Sequence, residues 1–264
     1  MLKKILLFLF SLLAPLLLCG QVSCVPRLNA PYSYCDAVNA LATDNVIGVD
    51  YSNNFFLPEI GRSTLGMVYP AKAVNTAAGF SFYGFSEYWN INLSVGFSRW
   101  FKPYIAFGVR AFFYGCHFTS HDASFLASGG ADVSLLVFPT KSLSIGFYAR
   151  NITFSSIKSL EDRYRIPVDF NLGFSYNFSG KVILALEGGI ELKQPFRISM
   201  CVDYAPVRQF VMRFGVSYQT SAAASLGFGL RFGGFFLDFD AEYKLISGMC
   251  CKAGIGVTFK KRKK

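Results

Sequence analysis

Between Asn45 and Phe259 apolar residues recur at every second position, in short stretches separated by glycine-, proline- or serine-containing breaks. The last four stretches are the clearest. Phe210, Met212, Phe214, Val216 and Tyr218 alternate with Arg213, Gly215 and Ser217; Leu226, Phe228, Leu230 and Phe232 alternate with Gly227, Gly229 and Arg231. Phe235, Leu237, Phe239, Ala241 and Tyr243 follow, separated by Asp238, Asp240 and Glu242, and then Cys251, Ala253, Ile255, Val257 and Phe259, separated by Lys252, Gly254, Gly256 and Thr258. A period of two sends these sets to opposite faces of a sheet. One face is uniformly apolar and the other small, polar or charged, which is the alternation of a transmembrane antiparallel β-barrel.

The same reading predicts ten earlier strands: Asn45–Asn53, Arg62–Lys72, Ala73–Phe85, Trp89–Trp100, Tyr104–Phe113, Ala131–Phe138, Ser142–Ile152, Pro167–Phe178, Val182–Leu192 and Phe196–Tyr204. The fold class is therefore all-β, an up-and-down barrel of fourteen strands, or twelve if the two ragged first strands fail. Short turns, such as Ser179-Gly180 and Gly233-Gly234, fall after even-numbered strands, whereas the long connections Cys116–Gly130 and Thr153–Arg165 follow the fifth and seventh. Short periplasmic turns opposed to longer outer loops place both termini in the periplasm. A bilayer tolerates no unpaired sheet edge, so the sheet must close. Trp89 and Trp100 bracket one strand, as interfacial aromatic girdles do. Fourteen strands spaced about 4.8 Å and tilted about 40° enclose a cylinder roughly 28 Å across, too wide for glycine and serine to fill. Residues 21–44 are the segment available to plug it.

Composition agrees. Of 264 residues 52% are hydrophobic and only 16% charged, yet no apolar run after residue 20 approaches a membrane helix. The polar face is rich in Gly, Ser and Asn rather than Lys and Glu, which argues against a water-facing soluble sandwich. Residues 1–20, with Lys3 and Lys4 ahead of an apolar run, read as a secretory signal peptide. The formal charge of +10 shrinks to +3 once those lysines and the basic tail Lys260–Lys264 are set aside, so no nucleic-acid surface is implied. Cys24 and Cys35 flank a short loop that an oxidising compartment can close or leave open.

Chemistry has few footholds. Arg213, Arg231, Asp238, Asp240, Glu242 and Lys252 share the inner face of neighbouring strands and are expected to form a lumenal charge belt, bracing the barrel or guiding a solute. His117, His121 and Asp122 are the weak metal candidates, with nothing in their spacing to make ligands converge. Ser120, His121 and Asp122 are contiguous, and neighbours in sequence seldom form a catalytic triad. No enzyme, cofactor or metal centre is expected.

The run RFGVSYQTSAAASLGFGLRFGGFFLDFDAEYKLISG, Arg213 to Gly248, resembles the closing strands of the type IX secretion barrels of the PorV/PorQ type, themselves similar to the fourteen-stranded fatty-acid transporter barrels. Tyr148–Asn151 and Arg165–Tyr176 resemble their middle portion, so the likeness covers residues 131–259. It implies a non-enzymatic outer-membrane barrel docking secretion components or exported cargo. The alternative is a passive channel for small or hydrophobic solutes; an outer-rim hydrolase is more remote. The Asn-Pro-Ala motif that such relatives carry in their N-terminal plug is absent from residues 21–44. Phe259 resembles the terminal aromatic read by the outer-membrane assembly machinery, and lipid is the remaining expected partner.

Overall fold

In the computed structural model, the described residues are 24–26, 35–54, 61–85, 88–118, 125–158, 163–246 and 248–259. Strands run as the alternation predicts: β1 (Asn45–Asn54), β2 (Gly61–Tyr69), β3 (Asn75–Phe85), β4 (Tyr88–Phe101), β5 (Ile105–Phe118), β6 (Phe125–Val137) and β7 (Leu143–Arg150). After a small hairpin of β8 (Ser156–Lys158) and β9 (Arg163–Arg165) come β10 (Asp169–Phe178), β11 (Val182–Glu191), β12 (Arg197–Val207), β13 (Phe210–Tyr218), β14 (Ala222–Phe232), β15 (Phe235–Lys244) and β16 (Gly248–Phe259). Apart from the hairpin, the strands form one closed antiparallel barrel of fourteen, with β10 following β7 and β1 closing on β16 from Asn45↔Phe259 to Asn54↔Cys250.

The barrel is apolar outside and polar inside, the inverse of a soluble protein. Val216 and Leu226 are 57% and 58% exposed, whereas Asp203 and Asp169 are 1% and 2% exposed. Only a hydrocarbon surround makes that arrangement favourable, because the outer side chains are solvated by lipid while the polar ones find partners within.

One loop expectation is corrected and the other filled in. The connection expected over Cys116–Gly130 is mostly strand: β5 and β6 continue pairing through Cys116↔Leu126 and His117↔Phe125, leaving residues 119–124. Alternation is masked there because Gly115 lies on the outer face beneath the Phe125 ring, where a β-carbon would collide. The second connection, expected over Thr153–Arg165, runs between β7 and β10 and carries the β8–β9 hairpin. It also completes the wall. β6 pairs with β7 only from Val133 to Val137, and beyond that Ile152 N donates to Ala131 O at 2.9 Å and Ser155 Oγ donates to Gly129 O.

Residues 24–26 and 35–44 lie inside. The helical turn α1 (Asp36–Asn39) packs against β3, β4, β5 and β6, and Cys24, Val25, Cys35 and Ala37 join Ala106, Leu136, Tyr148 and Cys201 in a buried apolar cluster.

Candidate functional site: the lumen and the segment that fills it

The lumenal wall makes room for this segment by omitting side chains. At Gly108 a β-carbon would stand 2.6 Å from Ala37 N, at Gly173 2.8 Å from Cys24 Sγ, and at Gly96 it would strike the Asp36 carboxylate. Polar contacts then fix it. Arg110, on the inner face of β5, grips Asp36 with Nε to Oδ2 at 2.7 Å and Nη2 to Oδ1 at 2.9 Å. Both are buried, 7% and 1% exposed, so the pair is shielded from bulk water. Ala37 N donates to Ser134 Oγ at 2.9 Å. At the far end of α1, Asn75 Nδ2 lies 3.0–3.2 Å from the carbonyls of Asn39, Ala40 and Ala42, satisfying acceptors that a helix end leaves open. Beside α1 a small cleft, with room for about one water, is lined by Asn39, Thr64, Ser81, Asn92, Ser94 and Arg110.

Among the described residues no disulfide joins Cys24 to Cys35. Cys24 Sγ donates to Gly146 O at 3.5 Å and Cys35 Sγ to Cys24 O at 3.9 Å. Burial pushes the Cys35 thiol up to about 12; burial, reinforced by Glu187, drives the Cys24 thiol higher still. Neither carries appreciable thiolate near neutral pH.

The other end of the lumen is apolar and aromatic. Ile157 of β8 is buried against Tyr83, Tyr88 and Cys116, with Tyr114, Leu126 and Ile166 alongside. Asn151 anchors this in-folded connection. It adopts φ 52°, its N donates to Asp132 Oδ1 at 2.8 Å, its Nδ2 donates to Ile166 O at 2.9 Å, and its Oδ1 accepts from Ser155 N at 2.9 Å. Asn151→Ala removes the side-chain partner of three part-buried backbone groups, Ser155 N, Ser155 O and Ile166 O, and is expected to destabilise the connection by about 2–4 kcal/mol. Limited proteolysis between residues 151 and 168 checks this, with the strands remaining protected.

The expected charge belt is partly assembled. Arg213 bridges Asp238 (Nη1 to Oδ1, 2.5 Å) and Asp240 (Nε to Oδ1, 2.9 Å). Glu242 pairs instead with Lys244 on its own strand at 3.6 Å, and Lys252 with Asp50 of β1 at 3.4 Å. Arg231 stands exposed at the end of β14 and forms no ion pair among the described residues. The belt is thus three local pairings. The sequence reading missed Asp36 as the partner of Arg110 and Asn75 as the helix anchor; a lone arginine among small inner-face residues was the available signal.

Of the weak metal candidates, His117 lies on the outer face of β5, its ring 5.3 Å from that of Trp89, which also stacks near Phe125. That makes it part of the aromatic rim. His121 and Asp122 lie outside the described residues.

No protein-family model matches the sequence, and no curated protein matches it. Solved structures match in fold. A TodX ΔS2S3 mutant monoaromatic hydrocarbon channel aligns with TM-score 0.67 over 92% of this chain and 97% of that one, at 11% identity. A Pseudomonas aeruginosa FadL homologue gives 0.62 over 88% and 93%, and the P. putida toluene transporter TodX gives 0.61 over 88% and 94%, both again at 11% identity. The protein is a closed fourteen-stranded antiparallel β-barrel matching FadL-like outer-membrane barrels in fold. The fatty-acid-transporter-like resemblance holds at the level of fold alone.

Proposed function

We propose that this protein is a passive outer-membrane channel for small solutes, hydrophobic ones included, closed at rest by the lumenal residues 24–26 and 35–44. One observation carries the reading: the segment inside the barrel is held by an ion pair, a few hydrogen bonds and glycine-made space, all reversible, rather than by a disulfide. The neighbours described as a monoaromatic hydrocarbon channel and a toluene transporter support an apolar solute, as does the aromatic cluster of Tyr83, Tyr88 and Tyr114 at the opposite end. In this reading residues 1–20 direct export, both termini face the periplasm, and β16, ending at Phe259, is presented to the assembly machinery.

The rival reading, a docking barrel for secretion, is carried by the resemblance of Arg213–Gly248 to PorV/PorQ-type strands. Deleting the gene separates them. Slower uptake of a small aromatic such as toluene with an unchanged set of exported proteins supports the channel. Loss of exported proteins with unchanged uptake overturns it.

A further inference from the structure

A second arginine on the lumenal face presents the same edge that Arg110 uses on Asp36. Arg150, the last residue of β7, has inner-face parity with Tyr148 and Gly146, and it stands opposite Asp169 in the β7–β10 register. Its Nε and Nη2 are both buried and neither has a hydrogen-bond partner. These two N–H groups lie on one side of the guanidinium and form the fork that grips a carboxylate with two parallel bonds. In Arg110 that fork is filled by Asp36.

The groups around Arg150 are also incompletely paired. Asp169, 2% exposed, leaves Oδ1 without a partner, its other oxygen standing 3.7 Å from Arg197 Nη2. Asn171, also 2% exposed, leaves Nδ2 without a partner while its Oδ1 accepts from Arg197 Nη2 at 2.7 Å. Gly189 completes the frame: a β-carbon there would strike Asn171 Oδ1 and come within 3.0 Å of Arg197 Nη2. Buried polar groups are ordinarily satisfied, and orphaned ones clustered on one wall point to a ligand. The open donors on Arg150 and Asn171 call for a carboxylate. The open acceptor on Asp169, with Glu191 opposite it in the β10–β11 register, calls for a cation beside that carboxylate. Arg150 and Arg197 stand among Asp169, Glu191 and Asp132, so this wall offers both signs of charge to a dipolar guest.

We propose that Arg150, Asp169 and Asn171 form a lumenal site for a small zwitterion with carboxylate and ammonium on one carbon, the free α-amino acid. The carboxylate lies in the Arg150 fork with Asn171 donating to it, and the ammonium donates to Asp169 Oδ1. Arg197 is the positioning residue: it donates to Asn171 Oδ1 and faces Asp169 Oδ2, which leaves Asn171 Nδ2 and Asp169 Oδ1 for the guest.

The test is calorimetric titration of the whole protein in detergent with L-alanine as probe, which reads binding whether or not the barrel conducts. Saturable binding is expected, at least tenfold tighter than for acetate or ethylamine, each of which carries only half of the dipole. Arg150→Gln and Asp169→Asn are each expected to weaken it at least tenfold, whereas Asp240→Asn, in the separate Arg213 cluster, leaves it unchanged. Heat-modifiable electrophoretic mobility establishes that each variant folds, and Arg150→Lys, which keeps the charge and loses the fork, replaces any glutamine variant that does not. Absence of alanine binding, equal binding of acetate, or full binding by a folded Arg150 variant overturns the proposal.

Discussion

Arg110→Ala is expected to give a barrel that conducts in a planar bilayer and whose Cys24 and Cys35 react with a membrane-impermeant maleimide, under conditions where the parent protein is closed and its thiols are inert. The buried pair with Asp36 is the reason. Removing one member of such a pair leaves an uncompensated charge in a dry site, at a cost of about 3–5 kcal/mol. Two other polar anchors of the segment, Ser134 and Asn75, are ordinary hydrogen bonds worth about 1 kcal/mol each. A stranded Asp36 therefore gains more by reaching water than those two bonds hold back, leaving the apolar cluster around Val25, Ala37 and Ala40 as the contact that opposes release. The thiols report the departure directly, because burial is the main cause holding them protonated and that cause vanishes with the segment's release. Removing both charges in an Asp36→Leu/Arg110→Met variant leaves no stranded ion and is expected to stay closed more often than Arg110→Ala alone. If Arg110→Ala remains non-conducting and its thiols unreactive, the segment is a fixed part of the wall and not a gate.

How much of this was legible in the sequence depends on what imposed the pattern. Lipid demands an apolar outer face on every strand, so β13 to β16 could be read residue by residue, and Arg213 could be placed on the same side as Asp238 and Asp240. The first two strands were harder because short inner residues such as Gly48 and Gly66 weaken the contrast, yet both pair along most of their length and β1 closes the barrel. The pattern failed where both faces are small. Ser128, Gly129 and Gly130 carry no period of two, and the first half of β6 was read as loop. Face parity also says nothing about height along the barrel axis, so Arg231 was placed on the correct side but opposite Phe236 rather than an aspartate. The contact that fixes the lumenal segment lay beyond local reading altogether. Asp36 and Arg110 are 74 residues apart, and residues 21–44 have neither a strand period nor a known plug motif.

Parity alone also misjudges one substitution, and the error is measurable. Phe228→Asp puts a carboxylate on the lipid face in the middle of β14, where it also ends the stacking on Phe239 at 5.3 Å. An expected cost of about 1–4 kcal/mol, set by depth, follows from the hydrocarbon environment. Ser217→Asp, on the inner face of β13, is expected to cost far less. Gly256 has inner-face parity too, and on that ground an aspartate there should be harmless. It is not open space. A β-carbon at Gly256 would collide with the Phe236 ring and stand 2.5 Å from Ile47 O, so even alanine forces the ring or the β1 backbone to move. Overpacking of this kind costs about 1–3 kcal/mol. The two failures have different causes and respond differently to one further change. Phe236→Ala removes the obstructing ring, so Gly256→Ala is expected to cost less in the Phe236→Ala background than in the parent, a non-additive pair. The same change leaves the penalty of Phe228→Asp untouched, because that residue meets lipid and not Phe236. Urea unfolding of the single and combined variants reconstituted in lipid gives these energies. Additive penalties for Phe236→Ala and Gly256→Ala would show that the ring is not what closes the space over Gly256.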